Sequence, residues 1–327
     1  MQSVTLIIDK RLELSTKYKK ILESESNDVI ISKDLITSIK LIQDKEPDLI
    51  IISDSFDDDL SDFCKQVRAL TYDMRPIIVA MSKSADFNDR IKVIESGADD
   101  FLSEPVNSEE FKVRMLAHLR REFESNLDLK HMLPNKNYSM RAIKRLLSED
   151  KKWAALYISI ENFESYKQAY TQLASDKLLQ TYCAIIQASL NKNDYMGELS
   201  ENTFLVITDA IKAERLARFL IFAFDSVAGK FYAEHDLDRV YMILQWDEYA
   251  GRRANFVHST ISVVTNEVTK YKDSAQVINT LLEIHRLADN PNRSNYLMER
   301  PQISGTDSIQ EREYNNKILI FETDEAL

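Results

Sequence analysis

Residues 97–106 read GADDFLSEPV. A glycine opens the run, FLS supplies a short apolar stretch at 101–103, and an acid followed by proline closes it. A turn-former on one side and a strand-stopper on the other frame a short buried strand. Working outward, further short apolar runs lie at 4–8 (VTLII), 29–31 (VII), 48–52 (DLIII) and 76–80 (PIIVA). Segments of helical period, 11–24, 33–45, 59–70, 86–96 and 107–120, fall between and after them. Strands that alternate with helices and are apolar on both faces predict a doubly wound α/β domain with a parallel sheet. Functional residues of such sheets gather at the C-terminal strand ends. The positions to watch are therefore Asp9 and Lys10, Ser53 and Asp54, Met81 and Ser82, and Glu104.

The chain has 327 residues, enough for two domains. Hydrophobic residues at 44% and charged residues at 29% allow each half a core. A net charge of −11 argues against a nucleic-acid partner, because phosphate would be repelled over most of the surface. Cys64 and Cys183 have no CxxC partner and the five histidines show no HxxxH spacing, so no metal pattern stands out. Unpaired cysteines and an N-terminus that reads as a strand imply a cytoplasmic protein. No apolar run approaches the ~20 residues of a membrane span. The five glycines stand at 97, 197, 229, 251 and 305, never as a close pair, so no glycine-rich phosphate loop is present.

EPDLIII, RPIIVA and SGADDFLSEPV together make residues 1–121 resemble the CheY-like receiver domain of bacterial response regulators in two-component phosphorelays. The resemblance implies a flavodoxin-like parallel sheet. It also implies an acidic pair that holds Mg²⁺, a phosphoacceptor aspartate after the third strand, a hydroxyl after the fourth, and a lysine before the proline. This chain departs from that set. Asp9 keeps the first acid, but the second is Lys10; the lysine position holds Glu104. Counting from Pro47 puts Ser53 at the phosphoacceptor position with Asp54 one later. The hydroxyl position falls on Met81 or Ser82, depending on where the count starts. The exchange of charge suggests an internal cation, Lys10 paired with Asp54 or Glu104, in place of Mg²⁺; independent decay of an unused site is the other reading. The acidic run 57–59 reads as a solvated loop and helix start.

Residues 108–131 form the predicted connector. Phe111, Met115, Leu119, Phe123 and Leu127 recur every four residues on one helical stripe. The stripe either packs on the two domains or pairs with a second chain over 108–130 as a homodimer. Beyond it, the pattern predicts a helix in 132–147, a strand at 153–160, a long helix at 163–190, and a hairpin of 195–199 and 204–208 around SENT. A helix at 211–228, strands at 239–246 and 256–265, a helix near 273–289 and a strand at 295–299 complete an α+β domain with a largely antiparallel sheet. Residues 229–255, with the basic spot Arg252 and Arg253, read as a surface excursion. The tail, 301–327, carries KILIF, which suits an edge strand or a partner.

LPNK (133–136), ENF (161–163), ASDKLL (174–179) and the hairpin follow the order of the GGDEF domain of diguanylate cyclases, which residues 128–300 resemble. That family joins two GTP molecules into cyclic di-GMP, using metal-binding carboxylates and glycines that admit phosphate. Here the signature reads Ser200, Glu201, Asn202, Thr203, Phe204. Both glycines and both acids are gone, the metal aspartate is Ser159, and only Glu161 stands near as a carboxylate. The guanine-contacting asparagine is Lys167, while its partner acid survives as Asp176. The product-inhibition motif reads NKND, with Asp194 kept and its arginine replaced by Asn191.

The expectation is a degenerate receiver fused to a degenerate GGDEF domain: not an enzyme, without Mg²⁺ or another cofactor. It acts in signal transduction by binding a protein partner or itself, with no nucleic acid, no membrane and no nucleotide bound. The alternatives are an effector that binds GTP or cyclic di-GMP without turnover, and a regulator phosphorylated on Asp54.

Overall fold

The computed structural model describes residues 3–24, 27–56, 59–71, 75–83, 86–148, 150–245, 249–290 and 293–299. The tail with KILIF, and residues 57 and 58 of the acidic run, lie outside them. The chain divides into two compact units, Met1–Leu127 with Lys144–Ser148, and Asp128–Ile143 with Glu149–Leu327.

In the first unit five strands, β1 (Val4–Ile8), β2 (Asp28–Ser32), β3 (Leu49–Ser53), β4 (Ile77–Ser82) and β5 (Asp100–Ser103), pair in the order β2-β1-β3-β4-β5. Every pairing is parallel. The helices are α1 (Leu12–Glu23), α2 (Leu35–Lys45), α3 (Leu60–Leu70), α4 (Phe87–Glu95) and α5 (Ser108–Ser125). Side chains alternate across a strand, so the apolar runs feed two cores. Leu6, Ile8, Ile50, Ile52 and Ile78 meet Ile42, Phe63, Val67 and Val93 on one face. Ile7, Ile51, Val79, Met81 and Leu102 meet Tyr18, Leu22, Phe111, Met115 and Leu119 on the other. Each fully buried aliphatic contributes about 1.5–3 kcal/mol. Asp34, Asp59, Asp86 and Asn107 cap α2 to α5 by accepting a hydrogen bond from a first-turn amide, each worth about 1 kcal/mol. Gly97 sits at φ +113°, where a side chain is strained, and its carbonyl accepts from Arg68 Nε at 2.8 Å.

The connector helix is shorter than its stripe predicts. Helix α5 ends at Ser125, and Asp128 Oδ1 then accepts the amides of Lys130 and His131, fixing a turn where the sequence reads as helix. Phe111, Met115 and Leu119 are buried in the first unit, while Phe123 is half-exposed.

The second unit carries α6 (Lys136–Leu147), whose last residues belong to the first unit. Strands β6 (Ala154–Glu161), β7 (Tyr195–Ser200), β8 (Thr203–Thr208), β11 (His258–Thr265) and β12 (Asn295–Met298) form a sheet in the order β12-β11-β6-β8-β7. Only β11 and β12 pair in parallel within it. Helices α7 (Phe163–Ala169), α8 (Gln172–Ser189), α9 (Ala210–Ala228) and α11 (Ser274–Ala288) flank it. The excursion holds a 3₁₀ turn (Gly229–Phe231), α10 (Glu234–Arg239) and a two-stranded ribbon of β9 (Met242–Ile243) and β10 (Arg253–Ala254).

Three sequence expectations need correction here. The helix predicted over 163–190 is two helices: Tyr170 turns extended and Thr171 caps α8 by accepting from the Ala174 amide. Among the described residues the strand predicted at 239–246 keeps two, because α10 runs to Arg239 and Val240 adopts the left-handed conformation. The hairpin strands reach inward to Ser200 and Thr203, leaving Glu201 and Asn202 as the turn. Within this hairpin Gly197 is required by close approach, since a Cβ there would collide with Ser139 Oγ and the Tyr195 ring.

Candidate functional site

In the first unit the chain leaves β1 at Ile8, and Asp9, Lys10 and Arg11 cross the C-terminal edge of the sheet before α1 begins. Arg11 turns its guanidinium inward. Its Nε and Nη2 donate to Asp9 Oδ1 at 3.0 Å and Oδ2 at 2.9 Å, and its backbone amide adds a third bond to Oδ1 at 2.7 Å. The same guanidinium donates from Nη1 and Nη2 to both oxygens of Glu104, the Nη2 bond at 3.1 Å. Asp9 and Glu104 are almost wholly buried and Arg11 is mostly so. A planar fork with fixed donors suits two carboxylates at once, which a lysine cannot match. Hydrogen bonding to Asp9 outweighs burial and holds the guanidinium's pKa further above its already high value. Beneath it Tyr18, stacked on Phe111 at 4.3 Å, has its phenol pushed up to about 12, by burial first and then by the Glu104 charge.

The internal cation bridging this pocket is thus Arg11, one residue past the expected Lys10. Lys10 instead lies over the Phe56 ring, 5.1 Å from its centroid. The hydroxyl at this sheet edge is Ser82: its Oγ donates to Asp54 Oδ2 at 2.7 Å, and the Lys83 amide donates to the same oxygen at 2.7 Å. Met81 is buried in the core. The ladder continues past β3, with the Asp54 amide donating to Met81 O. Ser53 is buried and donates to Ser55 Oγ at 2.7 Å.

The second unit repeats the pattern with different residues. At the end of β6, Ser159 donates to Glu161, and His285 Nε2 from α11 stands 3.0 Å from both Ser159 Oγ and Glu161 Oε1. The hydrogen bond with His285 holds the Glu161 carboxyl below the usual carboxylate range against the opposing effect of burial, and Ser159 adds to it. Thr203 is buried opposite Ser159 on β8. Phe204 is fully buried in the core.

At the turn, Glu201 accepts from Lys130 Nζ at 2.7 Å and Lys167 Nζ at 3.0 Å. Lys130 also lies 3.3 Å from Asp176. These pairs, Lys130 first, hold the Glu201 carboxyl below its ordinary range. Ser200 and Asn202 are tied locally: Asn202 Nδ2 donates to Ile160 O at 2.9 Å, and Ser200 Oγ donates to Asn202 Oδ1 at 3.3 Å. Asp194 closes its own turn, accepting from the Asn191 amide at 2.7 Å and Thr208 Oγ1 at 2.8 Å.

The sequence points to these strand ends but does not single out Arg11, Lys130 and His285. Lys130 and His285 lie 71 and 124 residues from their partners Glu201 and Glu161, and no local spacing signals them. Arg11 was in view only as the start of a helix.

Residues 125–240 match the family model described as diguanylate cyclase, GGDEF domain. A stretch of 122 residues is 31% identical to the alkaline phosphatase synthesis transcriptional regulatory protein PhoP of Bacillus subtilis (strain 168), covering 37% of this chain and 50% of that protein. The chain thus spans about half the length of the curated relative it matches. Similar solved structures include a two-component response regulator from Clostridium difficile (29% identity, 37% of this chain, 98% of that one, TM-score 0.35). Another is the receiver domain of a putative Luxo repressor protein from Vibrio parahaemolyticus (22% identity, 37% of this chain, 93% of that one, TM-score 0.35). The first unit is a CheY-like receiver domain and the second carries a GGDEF domain. This pairing is one of signal transduction. Among the described residues no helix is long and apolar enough to cross a membrane.

Proposed function

We propose that this receiver–GGDEF chain is a cytoplasmic signalling protein that works by contact, with a protein partner or with a second copy of itself, and turns over no phosphate in either domain. One observation carries the reading: the chain's own cations sit against the carboxylates at both sites. Arg11 engages both oxygens of Asp9 and binds Glu104. Mg²⁺ needs free carboxylate oxygens to bind and to bridge to a phosphoryl group, and Arg11 competes for them permanently. In the GGDEF domain Ser159 and Thr203 offer hydroxyls in place of carboxylates, and His285 holds Glu161. At the turn Glu201 takes up Lys130 and Lys167, two cations that a triphosphate would otherwise use. The half-exposed end of α5 at Phe123 is the surface this reading offers a second copy.

The test is incubation of the full chain with GTP and Mg²⁺, and separately with a small-molecule phosphodonor. No cyclic di-GMP and no phosphoryl incorporation are expected. Either product sinks the reading, and label lost in Asp54→Asn would restore the phosphorylated-regulator alternative, which the Ser82 bond to Asp54 keeps open.

A second reading, a nucleotide-binding effector, has its own support. A cavity of about 480 Å³ beside the NKND turn is lined by Asn191, Asp194, Lys212, Arg215 and Phe219 among others. Its two cations and aromatic ring suit an anionic nucleotide, although Asp194 is already engaged by its own turn. Thermal unfolding with and without cyclic di-GMP separates the two readings, since a ligand at 100 times its Kd adds about 2.7 kcal/mol.

A further inference from the structure

The turn that ends the connector brings together three side chains that neither phosphate site uses. His131 Nδ1 lies 3.0 Å from Glu198 Oε2 and 3.5 Å from Asp128 Oδ1, and all three donor atoms fall within 4.8 Å of one another. The His131 side chain is only 2% exposed, and its ring stands edge-on to Phe204 at 6.1 Å. Asp128 Oδ1 is aimed by the amides of Lys130 and His131 at 2.8 and 3.0 Å, and Glu198 by its own amide donating to Pro134 O at 2.7 Å. Two carboxylates therefore converge on one imidazole nitrogen, which carries at most one proton and can serve one of them well.

We infer that Asp128, His131 and Glu198 form a binding site for a divalent first-row transition metal, of the Zn²⁺ or Mn²⁺ class. One imidazole nitrogen and two carboxylate oxygens are ligands both ions accept. For bonds of about 2.1 Å, separations of 3.0 and 3.5 Å correspond to ligand–metal–ligand angles of roughly 90° and 115°. Those angles lie within tetrahedral and octahedral geometry. A dication would balance the two carboxylates where a single imidazolium leaves one negative charge over. The backbone amides on Asp128 act as the outer-shell donors that orient a ligating carboxylate. The site lies away from the end of β6, so it is structural, joining the turn at 128–131 to β7. Sequence spacing missed it because Glu198 is 67 residues from His131.

The experiment is calorimetric titration of the chelator-treated full chain with Zn²⁺ and then Mn²⁺, with thermal unfolding alongside. One tight equivalent and a higher unfolding temperature are expected. His131→Ala and Glu198→Gln should each weaken binding at least about tenfold, the cost of losing even a supporting residue. His235→Ala, at an exposed histidine on α10, should leave it unchanged. If the variants fold poorly, Co²⁺ absorption of the unmodified chain decides. Ligand-field bands identify a bound site. Absence of tight binding by the unmodified chain, or equal binding by His131→Ala, overturns the proposal and leaves an imidazole–carboxylate hydrogen bond alone.

Discussion

Arg11 and Glu104, 93 residues apart in sequence, share two hydrogen bonds across the C-terminal edge of the first sheet. The same guanidinium holds Asp9, so one side chain pairs with the acids contributed by the first and last strand ends. The charge exchange seen in the sequence is thus a three-residue arrangement.

Replacing Arg11 with alanine leaves two buried carboxylates facing each other without a cation. Breaking a buried pair this way costs roughly 3–5 kcal/mol, and the partial exposure of Arg11 places the loss at the lower end. Chemical denaturation of the variant should show it. Mg²⁺ should recover part of the loss in Arg11→Ala and have no effect on the unmodified chain. Mg²⁺-independent stability in the variant would contradict the role assigned to the guanidinium.

Acid should weaken the second unit through Glu161 and Glu201, whose pKa values are depressed in the fold. A depressed carboxylate contributes stability that is fully present above its unfolded pKa, about 4.3. That contribution is lost as pH falls through the lower folded value. Denaturant midpoints measured from pH 6 downward should therefore start to fall near pH 4.5, and Glu161→Gln should flatten that fall. A midpoint that drops equally in the variant would show that other groups control it.

The pairs at Glu201 are surface interactions. Lys167→Ala should cost about 0–1 kcal/mol, as exposed ion pairs do. A loss of several kcal/mol on denaturant titration would mean that this network holds the hairpin itself.

Gly197→Ala tests the close approach of α6 to β7. The added methyl meets Ser139 Oγ and the Tyr195 ring, and overpacking of this kind costs about 1–3 kcal/mol. Pairing it with Ser139→Gly, which removes one of the two clashes, should recover part of that loss; an unaltered melting temperature in the single variant would show that the helix yields freely.

The receiver fold was legible because each strand is an apolar run and each of α2 to α5 starts at an Asp or Asn that does cap it. The order of elements in the GGDEF domain was legible for similar reasons. Less visible was the break at Tyr170, where the apolar period runs on through 163–190 but the Thr171 cap restarts the helix. Beyond β1, two adjacent cations compete for one pocket, and only the path of the backbone decides that Arg11 enters it. Contacts such as Lys130 with Glu201, or His285 with Glu161, arise from tertiary packing and leave no local trace.

The buried fork of Arg11 also bears on time. A phosphoryl mark has a writer, a lifetime and an eraser; a guanidinium has none of these. On the function proposed above, a receiver held by Arg11 keeps one setting from synthesis to degradation. Its output then follows the number of copies the cell maintains and the company they keep.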